Sequence, residues 1–118
     1  MAKWDNALRR HSLLSAEDMK PAMTAAKLRD GSPTHWPESP HGDNGTPGKP
    51  VSYGFGWFVD PYQGHARMWH TGSTMGFGTV IERFIGDNLT IIILCNRTDL
   101  DPEKLSLRVA DTLLVSKK

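Results

Sequence analysis

The sequence predicts an α+β protein, with helices at both ends and an antiparallel sheet of about four strands between them. Two observations carry that expectation. Apolar residues recur at helical spacing near the start of the chain and after residue 101, whereas residues 53–95 read as aromatic and β-branched runs divided by turn residues. Those runs also fall into two successive hairpins, which makes the sheet antiparallel. With 118 residues the chain is long enough for one domain with a core, and residues 1–118 are taken as one.

Each element has its own signals. Trp4, Ala7 and Leu8 stand at i, i+3 and i+4, the apolar stripe of a short helix. No capping Ser, Thr, Asp or Asn precedes it, so it reads as though the chain begins within a helix. Ser15 with Asp18 resembles a capping box that starts a second helix over residues 16–24. There Met19, Ala22 and Met23 share a face, and Pro21 is tolerated only near a helix start. Residues 31–50 hold nine Gly or Pro residues and read as a long inserted loop. YGFGWFV (53–59) and HARMWHT (65–71) form the first hairpin, turning at Asp60-Pro61 and Gly64; Trp4, Trp57 and Trp69 are expected to pack in the core or on the sheet. GFGTVIERF (76–84) and LTIIILC (Leu89–Cys95) form the second, joined by Gly86-Asp87-Asn88. Asp101 caps a last helix over 102–115, with Pro102 at its first position and Leu105, Val109, Ala110, Leu113 and Leu114 as its apolar face.

Composition excludes several classes of partner. Fourteen basic and thirteen acidic residues leave a net charge of +1 with no long block of either sign, so neither nucleic acid nor an anionic membrane surface is expected. The longest apolar run, 91–95, is too short to span a bilayer, and MAKWDNALRR has no apolar signal-peptide core. No compartment follows from this. A single cysteine, Cys95, excludes an internal disulfide, and at the end of an apolar strand it is expected to be inert. His35 and His41 have no carboxylate or cysteine partner at ligand spacing, so neither a metal site nor any cofactor is expected.

One stretch, WHTGSTMGF (69–77), is unusual, because its glycines and hydroxyls offer a strand little to pack and suggest that something approaches the backbone. Its plainer explanations are a hydrogen-bonded strand-end histidine at His70 and a β-bulge marked by Gly72, Gly76 and Gly78. Taken with YGFGWFV before it, and with the GDN turn, LTIIILCNR and a final helix after it, the stretch resembles the C-terminal part of the serine β-lactamase and penicillin-binding-protein family. The likeness is to the class C and esterase-like branch in particular. AKWDNAL and LLSAEDM are similar to the segment that joins that family's helical region to its sheet. The resemblance covers nearly the whole chain except residues 31–50.

The resemblance implies acyl-transfer hydrolysis of an ester or amide, with an S-x-x-K serine as nucleophile, a second motif that moves protons, and a K-T-G strand beside the substrate. His70, Thr71 and Gly72 stand at that third place. The backbone N–H of Ser73 would, by the resemblance, supply half of an oxyanion hole. His70 replaces the usual lysine, and a neutral imidazole is a poorer partner for a substrate carboxylate. None of the eight serines is followed three residues later by lysine, and neither tyrosine has asparagine two residues on. The chain alone is therefore expected not to be catalytic. It is read as a C-terminal fragment or truncated product of such a hydrolase, with a non-catalytic binding or self-associating module as the alternative. The near-continuous apolar run of LTIIILC calls for burial on both faces, and only one face has a helix to cover it. Strands supplied by an absent N-terminal part of the parent domain would be missing beside it, so self-association through an open sheet edge or face is expected. Limited proteolysis is expected to cut first within 31–50, which has almost no apolar anchor beyond Trp36. First cleavage inside the strands would mean that this segment is packed.

Overall fold

A computed structural model describes residues 1–32, 34–36 and 51–114. The expectation of a protease-sensitive loop falls almost wholly on residues outside that set, as does His41. The elements in order are α1 (Ala2–Arg9), α2 (Ala16–Ala22), β1 (His35–Trp36), β2 (Val51–Tyr53), β3 (Phe58–Val59), β4 (Arg67–Thr74), β5 (Phe77–Phe84), β6 (Leu89–Cys95) and α3 (Pro102–Leu113). The strands form one antiparallel sheet in sequence order. The α+β arrangement is therefore as expected, with six strands among the described residues in place of about four.

The extra strands have local causes. YGFGWFV is two strands, because Gly54 N–H bonds Trp57 O at 2.7 Å and folds the chain back between Tyr53 and Phe58. The next turn falls at the Gly64 end of the stretch marked by Asp60-Pro61 and Gly64. It closes between Tyr62 and His65, whose backbones exchange two 2.9 Å bonds, with Gln63 and Gly64 both at positive φ as a type I′ turn requires. WHTGSTMGF does not interrupt the sheet, since β4 runs on to Thr74, turns through Met75-Gly76 and pairs with β5 over its full length. The register runs from Arg67↔Phe84 to Thr74↔Phe77 without a bulge. The GDN turn is a single 3-10 turn, Ile85–Asp87, closed by Asn88 in the left-handed conformation.

The helix signals hold at their starts. Ser15 Oγ accepts from Asp18 N–H at 3.1 Å and Asp101 accepts from Lys104 N–H at 3.1 Å, whereas α1 has no side-chain cap. Pro21 sits in the last turn of α2 and not near its start; the helix ends one residue later.

Antiparallel pairing sends alternate residues to opposite faces, and both faces are covered. On one side, Leu8 of α1 and Met19 of α2 pack on Trp57, Met68 and Ile81, with Ile92 of β6 against them. The open face expected for β6 is filled by α1 and α2 at Ile92, whereas Leu94 on the same face is 67% exposed. On the other side Ala110 of α3 packs on Phe84 and Ile91. Trp57 and Trp69 are buried; Trp4 stacks on Trp57 at 5.9 Å yet stays partly exposed. The buried stripe of α3 is Glu103, Ser106, Leu107 and Ala110, rotated only in part from the apolar face read in the sequence: Val109, Ala110 and Leu114 of that face still pack on the core, and Leu113 is 57% exposed.

The rotation follows from charge. Glu82 of β5 is fully buried beneath α3, with Arg67 at 3.6 Å; Arg67 in turn bonds Asp60 at 2.7 Å and lies over the Trp69 ring. Turning Ser106 inward sets a hydroxyl beside the Glu82 carboxyl. A second buried pair works on the opposite face, where Arg83 Nε donates to Asp5 at 2.7 Å and Arg9 and Thr90 donate to the same carboxylate. Removing one partner from a pair of this kind costs about 3–5 kcal/mol, because the other charge stays buried.

The two acids respond oppositely to pH. Burial raises Glu82 above its ordinary 4.5, more than Arg67 and Ser106 lower it. Burial also pushes Asp5 upward, but its bonds from Arg9, Arg83 and Thr90 together hold it below 3.8. Stability due to Asp5 is therefore present above about pH 3.8 and lost as pH falls through its lowered value. For Glu82 it is fully present below about pH 4.5 and lost as pH rises through the raised value. Glu82→Gln should therefore gain on the wild type steadily as pH rises from 4.5. Urea midpoints at a series of pH values measure this, and parallel curves from acid to neutral pH would show that Glu82 ionises normally.

Candidate functional site

The stretch from His70 to Ser73 lies in the middle of β4, held on one side by β5. On the other side β3 pairs only Phe58 with Trp69 and Val59 with Met68. Beyond Trp69, among the described residues, no strand lies along that edge of β4. The backbone groups of an edge are hydrogen-bonding positions for an extended chain.

His70 is half-buried at the start of the open edge. Its Nδ1 lies 2.6 Å from Thr71 O, and a carbonyl only accepts, so Nδ1 carries the proton. In the neutral ring Nε2 then accepts from the Tyr53 hydroxyl at 3.1 Å. Phe58 stacks on the imidazole at 5.3 Å. His70 is thus a hydrogen-bonded strand histidine whose ring is held by two neighbouring strands.

The next three residues serve a different space. Thr71, Gly72 and Ser73 line a groove of about 370 Å³ whose far wall is Arg97, Asp99 and Pro102, at the entry to α3. Arg97 and Asp99 form an exposed ion pair there. A side chain at Gly72 would place its Cβ 2.7 Å from Thr79 Oγ1, which also donates to Gly72 O at 3.3 Å. Glycine here gives room to β5's threonine side chain and does not mark a bulge. Ser73 is exposed, and no hydrogen bond joins it to His70.

Of the four residues singled out in the sequence, the structure brings Thr71, Gly72 and Ser73 to one groove and sets His70 beside Tyr53. Tyr53 was missed as a site residue. Its partnership with His70 depends on β2 and β3 being separate strands, which the continuous look of YGFGWFV conceals. The wall formed by residues 97–103 was also missed, because its nearness to β4 depends on the sheet register. Among the described residues no group of His, Cys, Asp or Glu is placed to hold a metal ion.

Helices on both faces of an antiparallel sheet, with an H-T-G strand presenting its edge, make up a β-lactamase-like sheet. The Beta-lactamase family model matches residues 1–115, and the chain belongs to that family. No curated protein and no solved structure matches it.

Two consequences are measurable. Gly72→Ala should destabilise the fold by about 1 kcal/mol through the clash with Thr79, and adding Thr79→Ala should restore most of that loss. In ¹⁵N NMR at neutral pH, His70 should show the Nδ1–H tautomer, with a shift at Nε2 on Tyr53→Phe. An Nε2–H tautomer would reverse the bonding described for this ring.

Proposed function

We propose that this chain forms the sheet-side wall of a serine hydrolase active site, of the class C and esterase-like kind, and that by itself it performs no turnover. The observation that carries this reading is the open edge of β4 at His70, Thr71, Gly72 and Ser73, the place of the K-T-G strand in the resemblance stated above. An extended acyl substrate would lie against that edge. The N–H of Ser73 would stabilise the oxyanion as the carbonyl becomes tetrahedral.

The chemistry also requires a nucleophile, a base to take its proton and an acid to protonate the leaving group. The sequence has no S-x-x-K and no Y-x-N to supply them. His70 stands where a lysine would place an ammonium, and its Nδ1 proton is directed at Thr71 O. That arrangement favours neutral esters over substrates recognised through a carboxylate. A second reading, a non-catalytic module that holds a peptide along the same edge, is favoured by the same exposure of backbone groups.

The purified chain should hydrolyse neither a chromogenic cephalosporin nor p-nitrophenyl esters above the uncatalysed rate. Turnover that survives purification and disappears in Ser73→Ala would overturn the proposal by making Ser73 the nucleophile. Binding of extended peptides that shifts the amide signals of 70–74, without turnover, would select the second reading.

A further inference from the structure

The cluster beneath α3 holds more hydrogen-bonding capacity than its side chains use among themselves. Glu82 of β5 and Ser106 of α3 are 0% exposed, and Arg67 of β4 is 3% exposed. Arg67 Nη2 donates to Asp60 at 2.7 Å, which leaves Nε and Nη1 without a direct partner. Nη1 stands 3.6 Å from Glu82 Oε1, too far for a hydrogen bond. Both carboxyl oxygens of Glu82 and the hydroxyl of Ser106 also lack a direct partner, although Ser106 lies beside Glu82.

The buried pair on the opposite face of the sheet differs in this respect. There Asp5 accepts from Arg83, Arg9 and Thr90, so that cluster closes on itself. The Glu82 cluster does not. Three side chains from three elements meet in the interior, with unused donors on Arg67 and unused acceptors on Glu82 and Ser106.

Buried polar groups in folded proteins are satisfied, and where no protein group reaches them an ordered water or an ion does so. Charge selects between these. A cation would face the Arg67 guanidinium, and an anion would face the Asp60 and Glu82 carboxyl groups, in surroundings of low dielectric where like charges repel strongly. Water is neutral, both donates and accepts, and when buried takes about three hydrogen bonds. One water oxygen can accept from Arg67 Nη1 while its two hydrogens go to Glu82 and Ser106, which matches the unused capacity group for group.

We infer that Arg67, Glu82 and Ser106 hold an internal water that is a fixed part of the fold. Its position gives it a structural task. Arg67 stands four residues before Thr71 on β4, and Ser106 stands four residues after Pro102 on α3. Thr71 and Pro102 line opposite walls of the groove. The water therefore bonds the strand of one wall to the helix of the other, through groups that make no direct bond to each other.

In ¹⁵N-edited spectra of the full chain, Arg67 Nε–H should show a cross-peak to water with NOE and ROE of opposite sign, the mark of a water that tumbles with the protein. Two variants separate a held water from a proton relayed by a neighbouring side chain. Ser106→Ala removes the hydroxyl and Glu82→Gln removes the titrating carboxyl, and the cross-peak should persist in both, because at least two partners remain. Ser106→Val sets a methyl group where the water lies and should abolish the cross-peak, with circular dichroism showing that the fold is retained. Three results would overturn the inference: a folded wild type without the cross-peak, its loss in Ser106→Ala or Glu82→Gln, or its survival at full intensity in folded Ser106→Val. The wild type and Ser106→Ala decide the question even where the valine variant does not fold.

Discussion

The unbroken pairing of β4 with β5 is the constraint on which the rest of the structure depends. Eight consecutive residue pairs leave no freedom over which side chain faces which helix layer. A shift of one residue would exchange Met68 and Arg83 for Trp69 and Glu82 on every face at once. The cost would be severe on both sides. Arg83 would leave Asp5, and Glu82 would leave Arg67, each pair being buried. The same register leaves His70, Thr71, Gly72 and Ser73 at consecutive positions where the neighbouring β3 has already ended.

The two buried ionic clusters explain how so small a sheet keeps α1 and α3 in place. Net stabilisation from buried pairs is modest, because desolvation offsets most of the attraction. Their effect lies in excluding alternatives. α1 can dock in one position, where Asp5 meets Arg83, Arg9 and Thr90 together. α3 turns Ser106 toward Glu82, and this shifts the helix partly away from its own hydrophobic pattern. A helix that simply followed its leucines would leave Glu82 against hydrocarbon.

This competition marks the limit of what the sequence discloses. Capping at Ser15 and Asp101, the hairpin order and the turn at Asn88 depend on neighbours close in sequence, and all were legible. The H-T-G strand was legible through resemblance. The rotation of α3, the division of YGFGWFV and the pairing of Tyr53 with His70 depend on groups brought together only by the sheet, such as Glu82 with Ser106 or residues 53 and 70. LTIIILC suggested two faces in need of cover, and the second is covered in part: Ile92 packs under α1 and α2 while Leu94 stays 67% exposed.

The tight contact at Gly54 links parts of the molecule that otherwise share little. A Cβ at this position would stand 2.5 Å from Ala22 O and 3.0 Å from Thr24 O, so the β2–β3 connection rests directly on the chain leaving α2. The adjoining Tyr53 carbonyl accepts from Ala26 N–H at 2.8 Å, and the Tyr53 hydroxyl reaches His70. Backbone wedged against backbone transmits displacement with almost no slack. The place of the α2 exit and the place of the imidazole at the head of the exposed strand edge are thereby tied together through one tyrosine.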